Sequence, residues 1–406
     1  MCLSSHHFHD RDIDGETRRS VLKKLTALGL TMPMAVRMLS QSAQARTMDF
    51  LDRDTFVNGL TALIEKAKSP ELAAYRVLEL ASNDMPWKAT DLNLKKGQEV
   101  TYLIGGRVWI SREYDLWFEP GTSFNVRSVG KRPMYNPMNN TGTMAAAHDG
   151  PIEIARAMAE WANEDGELWT PEEPYKSFDV HIYVVALVWN GKALDGLKSI
   201  AAHGDVGGVI GDEMARLQSP RKLPEGWKHF YMAGDDAGIF FDMGGGVIGC
   251  QAHKAGAILQ KPVSVDLKPG TKISWRWIVE ELPSLQPEDQ IVTHDYLSVG
   301  VEYDDGQDLT YIWSAGLENG HVFRCPYPRW NPIETHMVVR TGFGELGQWL
   351  QEERDIHADY HAHVAGKATK AVRVWLLGIS LFQRRQGTAR FSDIAITGPD
   401  GLNMQL

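Results

Sequence analysis

The 406-residue sequence predicts a mainly β protein made of two jelly-roll-like antiparallel β-sandwiches, with a short helical segment near the N-terminus. Three observations carry this reading. From about residue 90 apolar residues recur with period two in short runs; those runs are separated by Gly-rich and Pro-rich turns; and no long helical periodicity follows residue 82. Many short strands with turn signals between them are most economically arranged as sandwiches.

The elements follow in chain order. Residues 1–45 read as a twin-arginine export signal: Thr17-Arg18-Arg19-Ser20-Val21-Leu22-Lys23 precedes an apolar run, and Ala43-Gln44-Ala45 ends it as a small-residue cleavage pattern. That run is about a dozen residues, against the roughly twenty that cross a bilayer, so it predicts no stable membrane anchor. The expected location is the periplasm, reached through the twin-arginine machinery. Residues 46–89 read as a helical segment with two helices. Phe56, Leu60, Leu63, Ile64 and Ala67 share one helical face, and Leu72, Tyr75, Leu78 and Leu80 suggest a second after Ser69-Pro70.

Residues 90–190 read as the first sandwich. Val100, Tyr102 and Ile104, then Val108 and Ile110, then Phe124 and Val126 alternate, and 181–189 is a continuous apolar strand of the kind covered on both faces. A helical connection is expected over 191–238, with turns of helix near 194–202 and 209–217. Residues 239–406 read as the second sandwich, with strands near 274–279, 297–303, 309–315, 337–340, 372–379 and 390–396.

Charge excludes one class of partner. Residues 1–45 hold six Lys/Arg and four Asp/Glu of the totals of 42 and 52, which leaves 36 against 48 in the mature chain. Such a surface repels phosphate backbones and argues against nucleic acid. Cys250 and Cys325 remain after export and could pair in an oxidising compartment or stay buried and free.

The candidate site residues lie in the second half. Trp275 and Trp277 leave one face of a strand, and Tyr311 and Trp313 repeat the arrangement, so the four rings form either a sandwich core or a stacking platform for a sugar-like or small hydroxylated ligand. His294 beside a carboxylate such as Asp359 would make a general base, Tyr311 an acid, and Arg340 or Arg354 a clamp for an oxygen-rich substrate. Arg354 with Asp355 or Asp359 reads more readily as a buried ion pair that fixes a loop. His357 and His361 share a helical face, which fits a metal pair or a solvated histidine-rich turn. Metal and cofactor requirements are not fixed by these patterns. Gly244-Gly245-Gly246 lacks the Lys-Ser/Thr ending of a phosphate loop, and no Gly-x-Ser-x-Gly elbow is present.

Two family resemblances sit on these residues. Leu94-Lys95-Lys96-Gly97-Gln98-Glu99-Val100, Gly106-Arg107-Val108-Trp109 and His148-Asp149-Gly150-Pro151 are similar in layout to the lectin-A type of galactose-binding β-sandwich. That family holds calcium and sugar with a late loop containing an Asn pair, which the stretch Asn163-Glu164-Asp165-Gly166 lacks. Trp275-Arg276-Trp277, His294-Asp295-Tyr296, Leu309-Thr310-Tyr311-Ile312-Trp313, Gly347-Gln348-Trp349 and Phe391-Ser392-Asp393-Ile394 resemble the exported bacterial family known as domain of unknown function 3047. This second resemblance implies a fold and a location and supplies no reaction. Three functional classes stay open: a periplasmic binder of a carbohydrate-like or small hydroxylated ligand, an acid/base lyase or hydrolase acting on such a molecule, or a structural subunit of an envelope assembly.

Overall fold

The computed structural model describes residues 50–112, 116–157, 161–168, 171–230, 238–327, 329–364 and 366–406. The export signal expected over 1–45 lies outside these residues. The described chain is mainly β and antiparallel, in two sandwiches.

Helix α1 (Arg53–Ala67) opens the described chain. The Asp52 side chain caps it by accepting from the Thr55 amide at 2.9 Å, and Lys68 closes it in the left-handed conformation. The second expected helix is a strand, β1 (Leu72–Ala81). Its apolar residues mimic a helical face because both faces of the strand are covered. Leu78 and Leu80 enter the sandwich core, while Leu72, Tyr75 and Val77 pack under the helices. A register shift between Leu72 and Ala74 breaks the period of two that would have marked the strand.

The first sandwich therefore begins before residue 90. One layer contains β1, β3 (Glu99–Ser111), β4 (Leu116–Phe118), β6 (Thr141–Ala145) and β8 (Asp179–Trp189). The other contains β2 (Trp87–Leu94), β5 (Phe124–Ser128) and β7 (Gly150–Arg156). Two four-residue helices, α2 (Pro120–Ser123) and α3 (Glu173–Lys176), interrupt the connections. Strand β8 has the two covered faces its composition predicts. Ile182, Val184 and Ala186 point into the sandwich, and Tyr183, Val185, Leu187 and Trp189 meet α1, α4 (Ala193–Ala201) and α5 (Val209–Gln218). Between β3 and β8, Gly106 is needed at φ +107°, since a side chain there would meet the His181 carbonyl.

The second sandwich has a layer of β10 (Phe240–Asp242), β11 (Ile248–His253), β13 (Lys272–Glu281), β18 (Leu350–Asp355), β20 (Gln386–Thr397) and β21 (Asn403–Gln405). The facing layer runs β16 (Val322–Arg324), β17 (Glu334–Thr341), β15 (Asp308–Ser314), β14 (Leu297–Tyr303), β19 (Lys370–Ile379), β12 (Gly256–Asp266) and β9 (Lys228–His229). Strand β9 lies inside the stretch expected as a helical connection. One pair, β15 with β17, is parallel, a departure from a purely antiparallel jelly roll. Helix α6 (Ile356–His363) closes one end.

The two sandwiches share packing. Ile291 and Phe382 of the second are buried in the core of the first, where Phe382 meets Phe118 edge-on at 5.4 Å between ring centres. Asp295 holds this loop in place by accepting from the backbone amides of Leu381, Phe382 and Gln383.

Candidate functional site

The residues expected to converge on one site lie on opposite faces of the seven-stranded layer. Strand alternation sends Tyr311 and Trp313 of β15 into the sandwich core, whereas Ile312 looks out the other side. Trp275, Trp277, Tyr311 and Trp313 are at most 1% exposed and pack as a chain of rings 5.5–5.8 Å apart. They are core, and no ligand can stack on them.

The polar groups beside that core are spent on structure. Arg354 grips Asp359 through two nitrogens, at 2.8 and 2.6 Å, and the Tyr311 hydroxyl donates to the same carboxylate at 3.0 Å. Burial, with Tyr303 and Asp359 nearby, pushes the Tyr311 hydroxyl well above its ordinary range and makes it a poor acid. Arg340 binds Glu352 at 2.6 Å and Glu345 at 3.2 Å. His357 and His361 do share a face of α6, with ring centres 4.4 Å apart, but His361 and His363 are exposed to solvent. In the turn compared with the lectin loop, Glu164 and Asp165 are both paired with Arg132.

His294 stands apart from all of these. It follows a single 3-10 turn, Ile291–Thr293, and is 2% exposed at the junction of the two sandwiches. Its Nδ1 lies 2.6 Å from the Glu288 carbonyl, so that nitrogen carries the proton and donates. Nε2 is left facing Cys325 Sγ at 3.4 Å. Burial, reinforced by His336, pushes His294 down to about 3, so the ring is neutral. His336 comes from β17, and its ring is centred 4.9 Å from that of His294. The donor atoms of His294, Cys325 and His336 all lie within 4.8 Å of one another.

Glu334, two residues before His336 on the same strand face, is also buried. Burial resists its ionisation, but the neighbouring His336, 3.6 Å away, outweighs this and holds Glu334 below its ordinary range. The hydroxyls of Tyr296 and Thr310 reach it only at 3.4 and 3.3 Å. The Cys325 thiol also hydrogen-bonds to this carboxylate.

His294, Tyr296, Cys325 and Glu334 border a cavity of about 150 Å³ between the sandwiches. The first contributes Phe118, Asn125, Asn136 and Trp161, and the second Phe230, Tyr296, Tyr327, Trp330 and Trp375. Phe230, Trp330 and Trp375 pack against one another at 5.7–6.2 Å. Cys250 and Cys325 are both free; the first is in the core of the second sandwich and the second at this cavity.

The site thus belongs to a two-sandwich β protein whose polar groups gather at the junction of its halves. Residues 225–395 match the family model described as protein of unknown function DUF3047, the part of the chain in which the resemblance was read. No curated protein matches the chain. Among solved structures, the xyloglucanase domain of NopAA, a type three effector from Sinorhizobium fredii in complex with cellobiose, is 8% identical. It covers 44% of this chain and 96% of its own, with a TM-score of 0.30. Native PhpD with cadmium atoms is 9% identical over 94% of this chain and 90% of its own, with a TM-score of 0.16. Neither likeness is close enough to carry a fold or a function across.

Proposed function

We propose that this is an exported binding protein whose ligand, a single hydroxylated ring of carbohydrate-like size and polarity, occupies the cavity between the two sandwiches. One observation carries the reading: a space of about 150 Å³ combines aromatic walls with a buried carboxyl group, Glu334. A comparable dry apolar cavity accepts a benzene-sized molecule, so a ring is the fitting scale. The aromatic faces supply stacking area, and Glu334 rewards a hydroxyl donor that an apolar ring lacks. The acid/base alternative loses its support because Tyr311 and Asp359 lie across the sheet from His294. Export rests on the Arg18-Arg19 signal and its cleavage pattern.

The test is a thermal-shift and calorimetric screen of the mature chain with monosaccharides, cyclic polyols and phenols. Trp375→Ala is expected to weaken the ligand found by on the order of 1–3 kcal/mol. Glu334→Gln should weaken it separately, and cells carrying Arg18→Lys with Arg19→Lys should retain precursor in the cytoplasm. A ligand indifferent to both cavity variants would sink the assignment of the cavity.

A further inference from the structure

We propose that His294, Cys325 and His336 form a binding site for a divalent transition-metal ion of the zinc type. The three residues come from separate places in the fold: just after the 3-10 turn that precedes β14, just after β16, and near the start of β17. They are at most 2% exposed, yet their donor atoms meet within 4.8 Å.

Local hydrogen bonding prepares each donor. The Glu288 carbonyl takes the Nδ1 proton of His294, which leaves Nε2 with its lone pair directed at Cys325; an outer acceptor of this kind orients metal-binding histidines. Asn331 Nδ2 donates to the Cys325 carbonyl at 2.9 Å and fixes the turn that carries the thiol. His336 is the most telling member. Its side chain is fully buried, and neither ring nitrogen has a hydrogen-bond partner among the described residues. Its nearest carboxylate oxygen, on Glu334, is 3.6 Å away. Buried polar atoms are rarely left so, and a metal–nitrogen bond would satisfy one of them.

The donor set selects the ion. One sulfur and two imidazole nitrogens suit zinc and its neighbours, whereas magnesium and calcium require oxygen. On binding, the S–H bond of Cys325 breaks, its proton leaves to solvent and a sulfur–metal bond forms, so the thiolate offsets half of the double positive charge. His294 and Cys325 line the interdomain cavity, so the ion would be within reach of a molecule lodged there.

Metal binding is independent of the organic ligand and is tested without it. Chelator-stripped full-length mature chain, kept reduced, is titrated with Co²⁺ while the thiolate-to-cobalt charge-transfer band is followed, and Zn²⁺ is then added in competition. The expected result is stoichiometric uptake with that band, displacement by Zn²⁺, and release of a proton. Cys325→Ser should abolish the band. His336→Asn should weaken uptake well beyond the roughly 10–100-fold lost with an outer-shell partner. The histidine pair of α6 changed together, His357→Ala with His361→Ala, should leave uptake intact. If His336→Asn does not fold, Cys325→Ser still decides, since it exchanges a single atom. The proposal is overturned if the folded wild-type chain shows no sulfur band, or if Cys325→Ser binds Co²⁺ with an unchanged spectrum. It is overturned too if the stripped chain takes up no metal while Cys325 is rapidly alkylated, the behaviour of a thiol–imidazole dyad.

Discussion

Glu288 shows how far one buried carboxyl can shape the behaviour of the whole chain. Its two oxygens accept from the Ser314 hydroxyl and from the Ala315 amide, the latter at 2.7 Å, and its carbonyl orients His294. Burial nevertheless dominates and pushes it up to about 7. The folded state therefore holds a proton that the unfolded chain releases near pH 4.5, so the stability contributed by this group falls as pH rises from about 4.5 to 7 and is level above that. Glu288→Gln mimics the protonated form. The melting temperature of the variant relative to wild type is expected to climb across that window, by the equivalent of roughly 3 kcal/mol in total, and then to stay constant. A difference that does not change with pH would show that Glu288 is ionised in the fold. None of this was legible in the sequence, where Glu288 is one acidic residue in a loop; its burial follows from packing against a strand end 26 positions away.

Among the elements, β15 is the instructive one. Its alternation was read correctly, and of the two meanings open to the aromatic pairs the core was the right one: Trp313 packs on Trp277 and donates from its indole to the Gly342 carbonyl at 2.9 Å. Trp313→Ala should cost about 3–5 kcal/mol of stability, because it opens a large cavity in a closed core. Denaturant titration should detect this loss, while affinity for a cavity ligand in the still-folded fraction should be unchanged; a selective loss of affinity would return the ring to the binding site. The helices at Ala193–Ala201 and Val209–Gln218 were also legible, since each has one apolar face. Strand β1 was not, because covering both its faces and shifting its register removed the alternation that identifies a strand. Nor were Cys325 and His336 legible as companions of His294. No short motif joins them, and only the parallel pairing of β15 with β17 brings His336 to the face where His294 lies. The pair Glu334 and His336, two apart on one strand, was the available signal.

For the whole molecule, the decisive feature is that one core is built from both halves. Phe382, Ile291 and their neighbour Tyr327 belong by sequence to the second sandwich but pack in the first. The two sandwiches should accordingly unfold together, as a single calorimetric transition. Phe382→Ala, which removes about 3–5 kcal/mol of packing at the junction, should split that transition in two. Two separate transitions in the wild-type chain would disprove the coupling. The overall division into β-rich halves was visible from periodicity and turns, but the cavity between them was not, since its walls are drawn from residues 118–161 and 230–381 and meet only once both halves are folded. The span that matches the family model, 225–395, contains the inserting Phe382 but not the pocket that receives it. In the history of such chains, that mismatch penalises recombination. A crossover joining this span to an unrelated leading half would strand an aromatic plug in water, so such a chimera is expected to be less stable than the matched pair.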